Sequence, residues 1–315
     1  MKKALSAFGA IICLSAPALA EPLAYPHNVV TLVTHSSPGG GSDVFLRELV
    51  RYLSKQIDTN FVVENVQGGS GAKAMARLAQ SPADGSIFYA TTPTYIYTSL
   101  LSSPTYKYDA LQPVVNFFTD SEVVYTAVDS PYKTLADVIA HAKETRGRWG
   151  TANPASLERQ AAEQLKAAAG VDAAIVTHEG GGEMMINVLN GTLDVGIGEI
   201  QELRSQIEGK QIRLLATFNP ARLKDFPDVP TVKDSGYDVV LQKFRGLAAP
   251  KGLPDDVAAI WDKAAPAVLA DPEYKKAYEE ESLVANFIDH TRYPAFVDQF
   301  VATTTDFLKK SGVIQ

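Results

Sequence analysis

Ser36-Ser37-Pro38-Gly39-Gly40-Gly41-Ser42-Asp43 separates two segments of different periodicity. Before it, residues 28–34 form a β-branched run that reads as a strand. After it, residues 43–57 place Leu46, Leu49, Val50, Leu53 and Ile57 at helical spacing. A strand, a glycine-rich loop and a helix make the opening unit of a sheet covered by helices. Consecutive glycines let the backbone approach a ligand closely, and the helix that follows directs unpaired N–H groups and its positive dipole end to the same point. That is an anion cradle. It is not a dinucleotide fingerprint, whose third glycine would fall at Val44, nor a phosphate loop, which needs Gly-Lys-Ser/Thr. A tight turn in which Asp43 or Ser42 merely caps the helix fits the same spacing.

The alternation continues outward from this unit. Residues 61–64 and 86–90 read as strands around an Ala-rich helix over 70–80, and 114–118 and 123–128 extend the strand series. A second set then begins. Thr134 and Asp137 form a capping-box-like pattern for a helix ending near Arg146, followed by a strand to Ala152 and a helix over 156–170. Residues 174–177, 194–197 and 212–217 supply further strands, and the chain beyond Pro254 is chiefly helical. The fold class is therefore α/β. With no internal repeat, a chain of this length divides into two domains of roughly 100 to 150 residues each.

The opening MKKALSAFGAIICLSAPALA has the build of a signal peptide: Lys2 and Lys3, an apolar stretch from Leu5 to Leu14, and Ala18-Leu19-Ala20 as the small-x-small cleavage pattern. The stretch is too short for a membrane anchor and is closed by Pro17. Cleavage after Ala20 places the protein in the periplasm and removes Cys13, the single cysteine, so no thiol or disulfide is expected in the mature chain. It also removes two of the 29 basic residues and none of the 36 acidic ones, making the formal charge of −7 more negative still. Nucleic acid is disfavoured as a partner, and an anion must be held by local geometry against the field of the whole protein.

The glycine loop and the blocks that follow it resemble the periplasmic receptors of tripartite tricarboxylate transporters, the Bug receptors, whose mark is Pro-Gly-Gly-Gly-Ser-Asp after the first strand. The resemblance continues through Val63-Glu64-Asn65, Gly68-Gly69-Ser70-Gly71, Ala83-Asp84-Gly85 and Gly150-Thr151-Ala152-Asn153-Pro154-Ala155-Ser156. It returns at Glu179-Gly180-Gly181-Gly182-Glu183, Leu189-Asn190-Gly191, Phe226-Pro227-Asp228-Val229-Pro230-Thr231 and residues 245–252. It implies a Venus-flytrap fold: one lobe from residues 25–124 plus 247–315, the other from 125–246, each a mostly parallel sheet flanked by helices, with crossings near Ala127 and Gly246. It further implies a monomer that closes on a small organic carboxylate and hands it to the membrane components of such a transporter, without catalysis, cofactor or metal.

By the same resemblance the ligand meets Ser37, Gly39, Gly40, Gly41, Ser42 and Asp43 of the first loop, Asn153 and Ser156 of the second, and Gly180 and Gly181. Thr92, Thr94 and Tyr95 follow a strand and would face a ligand bound beyond strand ends, although such residues also serve as packing. Glu199 either orients a bound water or caps the next helix. The chain departs from the common pattern at Thr177-His178-Glu179-Gly180, where many members carry Pro-Tyr-Lys-Gly, and at Ala155-Ser156, where many carry a second Gly-Ser pair. The Glu-Gly-Gly-Gly-Glu run and Arg245-Gly246 look closer to citrate-type receptors, in which Arg245 would add a cation for a di- or tricarboxylate. His35 and His178 lie at strand ends without the spacing of a metal site.

A reading from another class is a secreted serine hydrolase. Gly68-Gly69-Ser70-Gly71-Ala72 is a partial nucleophile elbow, with Ala72 in place of the last glycine. Asp194 and His290 would complete a triad with Ser70, but any chain this long offers an Asp and a His downstream.

Overall fold

The computed structural model describes residues 21–315; the expected signal peptide lies outside the described residues. Four strands open the chain: β1 (Leu23–Thr34), β2 (Ile57–Asn65), β3 (Ile87–Thr91) and β4 (Leu111–Asp120). Between them run α1 (Gly41–Leu53), α2 (Ala72–Ala79) and α3 (Pro93–Leu101). After one residue the chain enters β5 (Glu122–Ala127), then alternates α4 (Leu135–Thr145), β6 (Arg148–Thr151), α5 (Leu157–Ala169), β7 (Ala174–Thr177), α6 (Gly181–Leu189), β8 (Val195–Glu199), α7 (Ile200–Glu208) and β9 (Ile212–Thr217). It returns through β10 (Lys243–Pro250), α8 (Asp255–Ala270), α9 (Pro272–Glu280), β11 (Val284–Ile288) and α10 (Tyr293–Lys310).

These strands form two sheets, of order β11-β4-β10-β3-β1-β2 and β7-β6-β8-β5-β9. In the first, β10 and β11 run against the other four; in the second, β5 runs against the rest. The fold is the two-lobed α/β architecture of periplasmic binding proteins. The chain passes from the first sheet to the second at Ser121 and has rejoined the first by Lys243, which pairs with Asp120. Both passages come a few residues before Ala127 and Gly246, and they lie side by side because β4 and β10 are neighbours.

Local sequence accounts for most elements. Thr134 Oγ1 accepts from the Asp137 N–H at 3.2 Å, and the Asp137 carboxylate accepts from the Thr134 N–H at 2.8 Å, so the capping box starts α4 as its sequence predicts. Ser156 caps α5, which ends at Gly170 in the left-handed conformation. Two expectations differ. Ile57 was in phase with the first helix, but α1 stops at Leu53 and Ile57 opens β2, its side chain buried in the same core. The Ala-rich helix was expected from Ser70, yet residues 69–71 form a separate 3-10 turn with Ser70 at φ 52°, and α2 begins at Ala72.

The first sheet is packed on both faces, alternate residues of β1 dividing between them: Leu32 joins the core under α1 and α8, and Val33 joins the one under α2 and α10. Trp261 of α8 anchors the former. It is fully buried, its ring 4.7 Å from that of Phe88 and 6.0 Å from that of Phe61, and its Nε1–H donates to Tyr25 Oη at 3.3 Å. Among the described residues no helix is long and apolar enough to cross a membrane. Trp261→Ala is expected to cost about 3–5 kcal/mol, the usual penalty for emptying a large aromatic site, measured by urea unfolding; a loss under 1 kcal/mol would mean that this face of the sheet does not hold the lobe together.

Candidate functional site

Loops leaving the carboxyl ends of β1, β3, β6 and β7, with the direct turn from β8 into α7, meet between the two sheets. This is where α/β sheets hold ligands. The first loop is shaped by its own residues. Gly39 has φ +80°, which glycine adopts without strain, and its N–H donates to the buried Asp43 carboxylate at 2.9 Å. Asn65 Nδ2 donates to the same carboxylate at 2.9 Å, and Arg47 pairs with it. Burial opposes ionisation of Asp43, but Arg47, the Gly39 N–H and Asn65 outweigh it and hold the carboxyl below its ordinary pKa.

The lobes touch through this loop. The Gly41 N–H donates to Glu202 Oε2 of the other lobe at 3.1 Å, and a Cβ on Gly41 would come within 2.7 Å of Arg245 Nη2. Gly180 lies so close to Ser37 that a Cβ there would run into Ser37 Oγ, and Gly181 is packed as tightly against Glu202. The Ala155 N–H donates to Ser70 Oγ at 3.4 Å. What remains between the loops is a cavity of about 20 Å³, room for about one water. The lobes are closed on each other.

Behind the cavity lies a buried ion network. Lys243 and Arg245, two apart on β10, project to the same side. Lys243 Nζ donates to Glu158 at 2.8 Å, to Glu122 at 3.2 Å and to Glu199. Arg245 Nε donates to Asp120 Oδ2 at 2.7 Å, and its Nη2 to Glu199 Oε1 at 3.2 Å. The carboxylates of Glu122, Glu158 and Glu199 have the mutual spacing of a cation site. Lys243 reaches all three, so the cation there is the chain's own.

Burial alone would lower the Lys243 pKa, but Glu122, Glu158 and Glu199 hold it well above the ordinary lysine value. Burial likewise works against the charge of Glu199, which Lys243 and Arg245 nevertheless keep ionised, far below the usual carboxylate range. Glu122 and Glu202 go the other way: desolvation and the neighbouring carboxylates push both well above that range. The neutral form of Glu202 is thereby favoured. The His35 imidazole, beside this network and hydrogen-bonded to Tyr89 Oη at 2.7 Å, is pushed down to about 3 by burial and by Lys243 and Arg245, and stays neutral.

The structure sorts the residues singled out by sequence. Gly41, Ser42, Thr94, Asn153, Gly180, Gly181 and Glu199 line the cavity. Gly39, Gly40 and Asp43 build the loop behind it, and Ser37 presses on Gly180. Thr92 is the N-cap residue of α3, Ser156 caps α5, and Tyr95 is packed in the first-lobe core with its ring 6.0 Å from that of Tyr89. Glu199 is the N-cap residue of α7, its N–H donating to Glu202 Oε1 at 3.3 Å, and also a wall of the cavity. Arg245, expected as a cation for ligand, is fully buried behind the wall and already paired with Asp120 and Glu199.

His178 is half-buried, with Nε2 accepting from Asn187 at 3.0 Å and Nδ1 facing the Thr151 carbonyl oxygen at 3.3 Å. The hydrolase triad is not assembled. His290 is bonded to Asp262 at 2.5 Å, and Asp194 accepts from the Arg148 N–H at 2.6 Å.

Sequence reading missed Lys243, Glu158, Glu202, Asp120 and Glu122. The available signal was paired: Lys243-x-Arg245 puts two cations on one side of a strand, Asp120-x-Glu122 brackets a single residue with two acids, and Glu199-x-x-Glu202 has capping-box spacing.

A raised folded-state pKa on Glu202 makes its contribution to stability greatest below the ordinary glutamate value of 4.5 and progressively smaller as pH rises above it. Glu202→Gln keeps an acceptor for the Gly41 N–H and removes this titration. The variant's unfolding midpoint should therefore gain on that of the unaltered protein as pH rises from 5 to 8; parallel midpoint curves across that range would show that Glu202 is not protonated in the fold.

Similarity to known proteins agrees with this geometry. A protein from the gbd 5′ region of Cupriavidus necator is 26% identical over 302 residues, covering 94% of this chain and 91% of its own. The solved structure of the periplasmic binding protein BugD superposes with a TM-score of 0.86 at 23% identity, over 92% of this chain and 99% of that one. An R. palustris protein solved with adipate gives a TM-score of 0.85, also at 23% identity, over 91% and 98% of the two chains. At that identity the two structures speak for the fold. Residues 45–313 match the family model of the tripartite tricarboxylate transporter family receptor, and to that family of receptors the chain belongs.

Proposed function

We propose that this protein is a periplasmic receptor that captures a small carboxylate between its lobes and presents the closed form to the membrane components of a tripartite tricarboxylate transporter. One observation carries the reading: two glycine-rich loops from opposite lobes, 36–42 and 179–182, meet across the cavity with Ser37 seated on Gly180. Ser37 Oγ, beside Gly180, and Asn153 Oδ1, on the cavity wall, are buried without a hydrogen-bond partner. Polar atoms left unmatched in this way suit a site that a polar ligand completes. The N-termini of α1 and α6, both opening on the cavity, supply the positive ends that favour a carboxylate. The adipate held by the R. palustris structure is a ligand of this chemistry. A citrate-type preference finds no support in Arg245, whose charge is already matched. Both walls of the cleft come from one chain, which suits a receptor working as a monomer.

The test is calorimetry and thermal shift with a panel of mono-, di- and tricarboxylates, with neutral sugars as controls. At least one carboxylate should raise the midpoint by mass action. Gly180 has extended backbone angles that any residue adopts, so Gly180→Val obstructs the approach of Ser37 without straining the turn. It is expected to weaken that carboxylate at least tenfold while the protein remains folded. Binding unchanged in Gly180→Val, or no carboxylate binding at all, would overturn the reading.

A further inference from the structure

The wall of the cavity carries three glutamates, Glu158, Glu199 and Glu202, and one ammonium, Lys243. Glu199 is matched by Lys243 and Arg245, and Glu202 by the N–H groups of Gly41 and Glu199. Glu158 is matched on one side only. Its Oε1 accepts from Lys243, while Oε2 is buried with no partner, on a residue only 3% exposed. Asn153, from the loop before α5, lines the same cavity and leaves its buried Oδ1 without a partner. Two unmatched acceptors therefore sit on the second-lobe wall. Across the cavity the complement is different: Ser37 Oγ is unmatched beside the N-terminus of α6, where a hydroxyl and backbone N–H groups can receive an anion.

A ligand bearing only carboxylates would satisfy the second set and leave the first unpaired, at the cost that buried acceptors carry when nothing donates to them. The placement of Glu158 Oε2 and Asn153 Oδ1 calls for a donor, and an ammonium, with three N–H groups and no acceptor of its own, can serve both. Resting on the carboxylate reading above, we propose that the ligand is an amino carboxylate, with its ammonium received by Glu158 and Asn153 and its carboxylate by the Ser37 and Gly180 side of the cavity.

The experiment compares matched pairs differing only in the amine, by calorimetry on the purified protein: succinate with aspartate, glutarate with glutamate, and adipate with 2-aminoadipate. In at least one pair the amino member should bind ten times more tightly or better. Glu158→Gln retains the Lys243 contact and replaces the free acceptor by an amide, and it should cut that preference at least tenfold with the deaminated partner little changed. Asn153→Ala, in a loop, provides a second variant that should narrow the preference should Glu158→Gln fail to fold. Equal or tighter binding of the deaminated member in every pair that binds, or a preference unmoved by both variants, overturns the inference and leaves the carboxylate reading standing. Absence of binding by every member of every pair overturns the inference, while the wider carboxylate panel decides the receptor reading separately.

Discussion

The arrangement of this molecule depends on Glu199, one carboxylate shared by two cations. Lys243 and Arg245 both reach it, and between them they also reach Asp120, Glu122 and Glu158. Asp120 and Glu122 flank the first passage between the sheets, and Lys243 opens the strand that follows the second. The network is therefore fastened to both connections and to the second-lobe wall at once. Removing one partner from a buried set of this kind costs about 3–5 kcal/mol, because the others are left charged and desolvated. The exposed pair between Arg204 and Glu280, which also joins the lobes, belongs to a class worth about 0–1 kcal/mol. The hinge is set by the former.

Around this fixed point the glycine loops can be read as instruments of approach. At Gly41 the space a side chain would need is taken by Arg245 and Glu199, and at Gly180 by Ser37. Backbone from one lobe thereby reaches side chains of the other, and the Gly41 hydrogen bond to Glu202 is made only when the lobes are together. Gly41 and Glu202, which meet when the lobes are together, also line the cavity; a ligand that binds one arrangement of two lobes better than another shifts them toward it.

Much of this was legible in the sequence, for physical reasons that also explain what was not. The strand, glycine loop and α1 showed because hydrophobic period and glycine content change sharply across residues 34–43, and α4 and α5 showed through their caps. β10 did not, although it lies inside the first sheet. A strand reading Lys-Phe-Arg-Gly alternates charge with an aromatic, the pattern of a half-exposed edge, whereas every residue of β10 is buried. Its charges are compensated by carboxylates from β4, β5, α5 and β8, and such compensation is visible only in three dimensions. The same limit applied to Arg245: its place beside a glycine suggested a ligand contact, and Asp120, distant in sequence, had already claimed it.

The order β4-β10-β3 within the first sheet also governs how the chain can fold. β10 separates two strands that precede it by more than a hundred residues, so the opening segment cannot complete its sheet until residues 243–250 are present. Until then β3 and β4 each keep a row of unpaired backbone groups open to any partner. The second sheet is drawn from one continuous stretch and needs no such wait. Contacts of such long sequence separation form slowly, because loop-closure entropy must be met before the contacts repay it. The second lobe can thus assemble as a local unit, and the buried charges of β10 meet their partners only as the first lobe closes around that strand.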